Sequence, residues 1–496
     1  MPAVLWVLIW LVGLTSGSVP RHPGVKIHLT RKGIDYLSSV AGEALNRRLK
    51  KFSRIPDFTL RYNKIGKARL DVSDVRITDF NPPGYSYEIV SQDRLKWKLN
   101  GGHIAVNANW RAKYKLLFFD QSSSGDFTAQ TRHRPRLELT ARLAKTHEGK
   151  LRAADVTCDC DLGKLSLDID GGLVAKLADI FRSQIVSLVR PKLNREVCKQ
   201  AKIFVEQKLN AAVAWYDFIG SLGRGIKLDL RLIRGFYLTP NSAESWHVGE
   251  AKNINSPQYK YNVLPNQAPP IDKDKRMIYI QASEFFFNSV LYQAYKMDII
   301  SFETSDKRMA DANVFLKPVC SPFFQVCLGS IFPEIADKYP DARGYLRAYT
   351  TTTSQLSLEP EHSRGWSDGV MEVFAVEGSN RSRLLKADIH VELNVTFSMK
   401  NIHRTHPHLV FQVSISKLDV RSVQSDLANI DILIDPENTQ ILVDHSIPIL
   451  EQMFNNLLAN GLPVYLANGS LMSNAEVQME NGTLLVGADF RFTKFD

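Results

Sequence analysis

Apolar and polar side chains alternate with a period of two residues over most of the segment 60–170. Such alternation places the apolar side chains on one face of a β-strand and the polar ones on the other. Glycine- and serine-rich stretches at 101–102 and 122–125 divide the segment into lengths typical of strands. The pattern therefore predicts an antiparallel meander with one buried face, and it limits this part of the chain to a sheet or a barrel.

Segments of helical periodicity flank the predicted meander. Apolar residues recur at steps of three and four over 30–52, and a longer stretch over 172–215 predicts a second helix that Pro191 should kink. The second half of the chain predicts further helices near 283–297, 328–339 and 442–460. Its strand-like alternation covers 342–421 and 474–494. Each half is therefore expected to combine a sheet with at least one long apolar helix.

A chain of 496 residues is too long for a single hydrophobic core. Residues 241–271 are rich in Asn, Ser and Pro and show little periodicity, which is typical of a linker. We therefore predict an N-terminal basic domain over 19–240, a linker over 241–271 and a C-terminal domain over 272–496.

The chain begins with an apolar stretch, Ala3 to Leu14, that is followed by small residues up to Ser18. This stretch is too short to span a bilayer, and it predicts a signal peptide over 1–18 and a secreted, extracellular protein. Asn-x-Ser/Thr sequons, which are candidate glycosylation sites in a secreted chain, occur at Asn380, Asn394, Asn468 and Asn481.

Positive charge is concentrated in the first half of the chain. Residues 19–250 contain 40 Lys and Arg against 24 Asp and Glu, whereas residues 251–496 contain 22 against 28. A basic half indicates an anionic partner, and in a secreted protein that partner is a membrane surface or an anionic lipid. No sequence signature of a nucleic-acid-binding module accompanies the charge, so no nucleic acid is expected.

The predicted strand 103–119 carries the sharpest charge pattern. Its apolar face contains Val106, Ala108, Trp110, Ala112, Tyr114 and Leu116, and its polar face contains the three cations Arg111, Lys113 and Lys115. A second basic cluster ends the first helix at Arg47, Arg48, Lys50, Lys51 and Arg54. Both clusters are candidate sites for an anionic head group, with a solvated strand face and a solvated helix end as the alternatives. Asp120 and Asp126, beside the turn after the strand, would weaken the local field.

The five cysteines are Cys158, Cys160, Cys198, Cys320 and Cys327. A bridge from Cys158 or Cys160 to Cys198 would attach the long helix to a strand, and Cys320 with Cys327 would close a small loop. No hydrolase, nucleotide-binding or zinc-protease motif is present, so neither an enzyme nor a cofactor is expected. His403, His406 and His408 form the only histidine cluster, and beside Pro407 it indicates a turn rather than a metal site.

Several motifs resemble the family of bactericidal/permeability-increasing protein and lipopolysaccharide-binding protein. Near the start they are Pro23-Gly24-Val25, Thr30 to Tyr36, Ala44-Leu45, Leu49-Lys50 and Ile55-Pro56-Asp57. Further along they are Trp110 to Lys115, Ser283 to Asn288, Gly329 to Ile335 and Leu485 to Phe490. The resemblance covers nearly the whole chain after the predicted signal peptide, and the motifs occur in the family's order.

The resemblance implies an α+β fold of two similar domains, each a barrel with long helices, joined by a central antiparallel sheet into a boomerang. It also implies a disulfide between Cys158 and Cys198, with Cys160, Cys320 and Cys327 as departures from the family. In the family each barrel encloses an apolar pocket for a phospholipid. The candidate lining here is the apolar stripe of each helix, with plain core packing as the alternative: Ile34, Leu37, Val40, Ala41, Leu177, Ile180, Phe181 and Ile185.

The energetics of lipid binding separate the roles of pocket and charge. Burial of acyl chain gains ~0.8 kcal/mol per CH₂ group, whereas each Lys or Arg near an anionic surface adds about 1 kcal/mol. Apolar pockets should therefore hold the lipid, and charges should select its head group. The resulting hypothesis is a monomeric protein that binds phospholipid and lipopolysaccharide, or another anionic lipid, at a membrane or lipoprotein surface in innate defence. The alternatives are an extracellular phospholipid carrier without an immune role and a secreted hydrolase.

Overall fold

A computed structural model provides the three-dimensional structure of the chain. It describes residues 22–51, 57–62, 68–81, 84–116, 119–131, 135–171, 175–211, 219–303, 315–320, 327–361, 363–403, 406–425, 436–464 and 470–492. The predicted signal peptide at 1–18 lies outside these residues. No helix within the described ranges is long and apolar enough to cross a membrane.

The described chain is a mixed α+β protein, as predicted, and most of it is sheet. Its strands are β1 (Val25–Thr30), β2 (Phe58–Tyr62), β3 (Ala68–Asn81), β4 (Gly84–Ser91), β5 (Arg94–Asn100), β6 (His103–Leu116), β7 (Phe119–Thr131), β8 (Arg136–Lys145), β9 (Leu151–Asp161), β10 (Leu165–Gly171), β11 (Ile219–Gly223), β12 (Ile226–Asp229), β13 (Tyr237–Thr239), β14 (Ser242–His247), β15 (Glu250–Asn253), β16 (Ile278–Ser283), β17 (Ser301–Glu303), β18 (Arg343–Thr350), β19 (Gln355–Ser357), β20 (Ser363–Glu377), β21 (Asn380–His403), β22 (His406–Ser425), β23 (Leu462–Pro463), β24 (Ser470–Glu480) and β25 (Thr483–Phe492). Its α-helices are α1 (Arg31–Lys51), α2 (Ala175–Ile203), α3 (Glu284–Lys296), α4 (Leu328–Ile331), α5 (Pro333–Lys338) and α6 (Pro436–Leu458).

The chain divides into two compact units. The N-terminal unit contains the described residues of 28–217 and 234–245, and the C-terminal unit contains those of 1–27, 218–233 and 246–493. The division falls inside β1 and inside β14. Residues 241–271, which we expected to form a linker, contain all of β14 and β15. The predicted domain boundaries stay a prediction.

The N-terminal unit contains the predicted meander, folded as two antiparallel sheets rather than one. A five-stranded sheet has the order β10-β7-β6-β3-β2, and a four-stranded sheet has the order β4-β5-β8-β9. Trp110 and Phe127 of the first sheet pack against Val189 and Leu193 of α2. Leu139 of the second sheet packs with Leu45 of α1 and Ala201 of α2. The two helices therefore bury the apolar faces that the alternation predicted.

Both predicted N-terminal helices are present. Helix α1 matches the predicted segment 30–52 closely. Helix α2 ends at Ile203, where the chain continues as a π-helix, Phe204–Leu209. Pro191 lies inside α2. Single π-turns within helices are rare and concentrate at functional sites. The residues around this segment are therefore candidates for a functional site.

The C-terminal unit is built on a seven-stranded sheet, in which β17-β18-β20-β21-β22-β23 form the path and β19 pairs with β20. Helix α6 packs on this sheet through Leu450 and Met453. It begins six residues before the predicted start at 442, and Pro436 is its first residue, a position where proline is favoured. The helix predicted at 328–339 is two short helices, because Pro333 has no N–H to continue the first one.

His247 gives the C-terminal unit a pH-dependent stability. Its side chain is 3% exposed, and its Nδ1 lies 2.6 Å from the carbonyl oxygen of Leu230. Burial lowers the pKa of His247 to about 4, against about 6.5 in an unfolded chain. As the pH falls, His247 therefore becomes protonated near pH 6.5 in the unfolded chain but only near pH 4 in the folded unit. The free energy of unfolding should fall as the pH falls through this window.

We expect the variant His247→Asn to lack this dependence, since an amide supplies a donor at the Nδ1 position and does not titrate. Relative to the wild type, the variant should gain about 2.5 kcal/mol between pH 7 and pH 4.5. Urea unfolding of the full chain at the two pH values measures the difference. Asp229 does not interfere: burial raises its pKa, but hydrogen bonds from Arg231 and Lys252 outweigh burial and hold it at about 2. An unchanged difference between wild type and variant would contradict the assignment.

Candidate functional site

Strand β6 presents the three predicted cations on one face. Arg111, Lys113 and Lys115 are exposed, whereas Trp110 and Ala112 between them are 2% and 0% exposed. The indole N–H of Trp110 donates to the backbone oxygens of Asp126 and Asp170, at 3.2 and 3.3 Å. These contacts hold the strand in register, and they confirm the predicted division of β6 into a buried and an exposed face.

Strand pairing adds two arginines that the sequence analysis missed. Arg69 of β3 lies directly opposite Lys113, and Arg61 of β2 lies directly opposite Arg69. Opposed residues of paired strands share a face of the sheet, and both arginines are exposed. We call Arg61, Arg69, Arg111, Lys113 and Lys115 the basic face. Like charges placed directly opposite each other destabilise a sheet, so this row is arranged at a cost.

Only one cation of the basic face has a carboxylate partner among the described residues. Arg69 Nε lies 2.9 Å from Asp71 Oδ1. A hydrogen bond from the Thr59 hydroxyl, together with Arg69, lowers the pKa of Asp71, so this carboxylate stays ionised. Within the part of the chain that the structure describes, no carboxylate oxygen lies within 4.0 Å of the charged nitrogens of Arg61, Arg111, Lys113 or Lys115. Their charge is available to a ligand.

The exposed face of the four-stranded sheet provides the contrast. Four of its cations are matched by acidic residues on neighbouring strands: Lys96 with Glu138, Lys98 with Glu88, Arg136 with Asp159, and Arg142 with Asp155. The two sheets therefore differ in charge pairing and not merely in the number of charges. A face that only needed to be soluble would resemble the paired sheet, which weakens the solvated-face alternative for β6.

Charge also changes sign across the five-stranded sheet. The strands β7 and β10, on the side of β6 away from β3, carry exposed carboxylates at Asp120, Asp126, Asp168 and Asp170. Asp120 lies directly opposite Lys115, and Asp126 lies directly opposite Asn109. An anionic ligand is therefore repelled from β7 and β10 and attracted toward β6, β3 and β2. The charge distribution thus favours one part of the sheet as the binding site.

Of the second predicted basic cluster, the structure describes one side chain. Arg47 is exposed near the end of α1. Arg48, Lys50 and Lys51 belong to the same helix, but their side chains lie outside the described residues, as does Arg54 entirely. Their role in head-group binding stays a prediction.

An apolar cavity of about 30 Å³ lies in the N-terminal unit. Its wall includes Ala41, Gly42 and Leu45 of α1, Tyr85 of β4, Trp97 and Leu99 of β5, Leu139 of β8, and Phe204, Val205 and Leu209 of the π-helix. A water molecule needs roughly 10–15 Å³ of such space. The cavity as it stands has room for one or two waters and is far too small for an acyl chain.

Of the predicted pocket residues, Ala41 lines this cavity. Ile34 is 7% exposed and packs with Leu95, Leu238 and Ala243 in a separate cluster. Leu37 and Val40 are half-buried and do not line the cavity. The side chains of Leu177, Ile180, Phe181 and Ile185 lie outside the described residues. Tyr85, Trp97 and the π-helix residues were missed, because only the tertiary structure brings their three elements together.

Two polar atoms beside the cavity lack hydrogen-bond partners. The Tyr85 hydroxyl and the Trp97 indole N–H are buried, and neither meets a partner among the described residues. Burial also raises the pKa of Tyr85. Leaving a buried polar group unpaired costs about 1–3 kcal/mol, and such groups usually mark a place for water, an ion or a ligand. Two of the residues that line the cavity, Tyr85 and Trp97, thus each carry a buried donor without a described partner.

Three contacts tie strand β9 and the residue that follows it to α2 and to the helical segment that continues α2 as far as Asn210. Cys158 and Cys198 form a disulfide with a Cα–Cα distance of 5.6 Å, as the family resemblance implied. Asn194 accepts a hydrogen bond from the backbone N–H of Leu162 at 3.2 Å. Asn210 accepts from the N–H of Ala153 and donates to its carbonyl oxygen, at 2.8 and 2.9 Å. The side chains of α2 and of the residue after the π-helix thereby fix the helix against an edge strand.

Among the described residues, the remaining cysteines and the predicted histidine cluster lie in disulfide, buried and strand-end positions. Cys320 and Cys327 form the second disulfide, and Cys160 is a free thiol whose pKa burial raises to about 12. His403 pairs with His406 across β21 and β22, and His408 Nδ1 lies 2.7 Å from the Asn460 carbonyl oxygen. The histidines thus lie on strand ends. Among the residues that the structure places, no group of three His, Cys, Asp or Glu side chains could hold a metal ion.

These features define a class of α+β protein that presents a cationic sheet face and an apolar cavity. The chain belongs to the LBP / BPI / CETP family. The model of that family's N-terminal domain matches residues 33–210, and the model of its C-terminal domain matches residues 246–492. The family consists of lipid-binding and lipid-transfer proteins and not of enzymes.

Individual relatives are similar over nearly the full length or over about two thirds of it. The chain is 22% identical to bactericidal permeability-increasing protein of Sebastes schlegelii, over 99% of this chain and 100% of that one. It is 20% identical to human lipopolysaccharide-binding protein, over 100% and 98%, and 23% identical to mouse phospholipid transfer protein, over 63% and 62%. The crystal structure of lipopolysaccharide binding protein matches the fold with a TM-score of 0.57 and 19% identity, over 95% of this chain and 100% of that one.

Proposed function

We propose that this protein is secreted and binds lipids in two ways. The basic face receives the anionic head group of a lipid, with lipopolysaccharide as the leading ligand, and the apolar cavity of the N-terminal unit opens to hold phospholipid acyl chain. The protein acts as a monomer in innate defence and needs no cofactor. The observation that carries the proposal is the row of exposed cations without carboxylate partners.

Charge complementarity supports the basic face as the head-group site. Phosphate groups of an anionic lipid would reduce the mutual repulsion of Arg61, Arg69 and Lys113, which Asp71 offsets only in part. Each cation near an anionic surface contributes about 1 kcal/mol, so the five together account for an affinity that is strongly dependent on salt. The carboxylates of β7 and β10 repel the head group from these two strands, which lie on the side of β6 away from β3.

The cavity must enlarge to hold an acyl chain. Its wall is formed where α1, the sheet and the π-helix meet, and π-turns are among the less regular parts of a helix. Each CH₂ group that leaves water gains ~0.8 kcal/mol, so a few methylene groups offset the displacement of a side chain. The Tyr85 hydroxyl and the Trp97 N–H would then pair with polar atoms of the lipid.

Secretion is supported by the two disulfides, which form and persist in oxidising compartments. The four sequons agree with this route.

A second candidate is an extracellular phospholipid carrier without an immune role. It is favoured by the similarity to mouse phospholipid transfer protein. This candidate shares the cavity with the first proposal but does not need the basic face, so the two surfaces can be tested separately.

We expect phospholipid to co-purify with the secreted protein, and the variant Ala41→Phe to reduce the bound amount at least several-fold because the added ring occupies the cavity. Val40→Phe is the matched control, since it adds bulk to the same helix at a residue that does not line the cavity. Native mass spectrometry and lipid extraction measure the bound lipid, and competition with lipopolysaccharide follows on the same samples. Absence of lipid from the wild type would refute the pocket. Lipid transfer without lipopolysaccharide binding would favour the carrier.

A further inference from the structure

An exposed tryptophan lies on the outer face of the seven-stranded sheet. Trp366 of β20 is 41% exposed, although its neighbours Ser363 and Val370 on the same strand are 1% and 5% exposed. A large aromatic ring left in water forfeits the free energy that its burial would supply. On this polar sheet face the exposed ring is available to stack with a partner group.

Strand register places a sequon beside this ring. On β20 and β21, Trp366 lies directly opposite Glu392, and Arg364 lies directly opposite Asn394. The register is continuous here, so Asn394 is the diagonal neighbour of Trp366 on the same face, where long side chains can meet. Asn394 and Thr396 are exposed, whereas Val395 between them is 7% exposed and points to the other side. The modification site and the indole therefore share one surface.

We propose that Asn394 carries an N-linked glycan whose first N-acetylglucosamine stacks on the indole of Trp366. This inference rests on the proposed secretion but not on lipid binding. Oligosaccharide transfer forms the bond between Asn394 Nδ2 and the anomeric carbon and breaks the bond from that carbon to a lipid diphosphate. The amide gives up one proton to the leaving diphosphate.

The chemistry of both rings suits the contact. One face of a pyranose ring presents C–H groups, and these pack on the electron-rich face of an aromatic ring through dispersion and weak electrostatic attraction. Arg364 and Ser414, directly opposite Asn394 on either side, offer polar groups to the sugar's acetamide and hydroxyl groups. The glycan would lie along the sheet and cover its exposed indole instead of projecting freely into solvent.

The chain supplies its own controls. Asn380, the first residue of β21, and Asn481, in the turn before β25, are exposed sequon asparagines. Neither is paired with an aromatic residue in the described sheet register. Asn468 lies outside the described residues. A glycan on Asn380 or Asn481 reports secretion and glycosylation of the chain without contact with Trp366.

The test uses full-length protein secreted by eukaryotic cells, with its glycans trimmed enzymatically to one ¹³C-labelled N-acetylglucosamine per site. Peptide mapping by mass spectrometry establishes which asparagines are occupied. In two-dimensional NMR spectra, we expect one set of sugar C–H signals to be shifted upfield by the indole ring current. The variant Asn394→Gln should remove this set, and Asn380→Gln should leave it unchanged.

The variants Trp366→Leu and Trp366→Tyr then separate the ring contact from other effects. Leucine should abolish the upfield shift while Asn394 remains glycosylated, and tyrosine should keep part of it. Occupied Asn380 or Asn481 with an unoccupied Asn394 would overturn this proposal while leaving secretion intact. An occupied Asn394 whose sugar signals do not respond to Trp366→Leu would overturn it as well.

Discussion

Replacement of Arg111, Lys113 and Lys115 together by glutamate is expected to weaken lipopolysaccharide binding at least about 100-fold at low salt. Three cations near an anionic surface contribute about 3 kcal/mol, and each 1.4 kcal/mol is a factor of ten in affinity. The reversed charges add repulsion to this loss. The fold should persist, because all three side chains are exposed and the buried face of β6 is unchanged.

Affinity should be measured at several salt concentrations, since the wild type should lose affinity as salt rises and the variant, which keeps only Arg61 and Arg69 of the basic face, should lose much less. Lys145, Arg152 and Lys164 provide a matched control, because they are exposed cations of the same unit, outside the basic face. Their replacement by glutamate changes the net charge equally and should leave most of the binding intact. The same loss in both variants would show that binding follows net charge alone. Undiminished, salt-dependent binding by the first variant would disprove the head-group site on β6.

Removal of the Cys158–Cys198 disulfide is expected to lower the free energy of unfolding of the N-terminal unit by about 4 kcal/mol. The bond closes a chain segment with a separation of 40 residues, and the chain-entropy model assigns about 4 kcal/mol to a loop of this size. Cys198→Ala is the cleaner variant, since it leaves neither Cys158 nor Cys160 a partner on α2. The alternative variant, Cys158→Ala, would leave Cys160 on the same strand as a substitute.

Denaturant unfolding under non-reducing conditions, monitored by probes in the N-terminal unit, measures the effect. Cys160→Ala is the control, because it keeps both disulfides and should cost much less. Cys327→Ala should cost only about 2 kcal/mol, since its loop spans a separation of 7 residues. Equal effects of Cys198→Ala and Cys160→Ala, or peptide mapping that pairs Cys160 with Cys198, would contradict the assignment.

Local patterns predicted most elements of this fold. The alternation in β6 predicted which side chains are buried, because adjacent residues of a strand face opposite sides whatever the neighbouring strands are. Helix α1 was predicted to within a residue of each end. Errors arose at prolines and helix ends, as at 328–339, where one predicted helix is two. There, the backbone geometry of a single residue outweighs the periodicity of the segment.

The candidate sites were predicted less completely. Arg61 and Arg69 were not recognised, because strand register joins residues that are far apart in the chain. We predicted that the apolar faces of the two helices line the pocket. Of the predicted residues with described side chains, only Ala41 lines the cavity. Its aromatic wall at Tyr85 and Trp97 comes from a hairpin whose alternation indicates burial but not what the buried side touches.

The basic half of the chain, the cations of β6 and the family were determined by the sequence alone, since charge, period and motif order are properties of the chain itself. The tertiary structure decided that three of these cations lack described carboxylate partners, that Arg61 and Arg69 join them, and that the carboxylates of β7 and β10 lie on the opposite side of β6 from these two arginines. Pairing of charges depends on distances across strands, which local sequence does not encode. The direction in which the sheet attracts an anionic head group is therefore a property of the folded N-terminal unit.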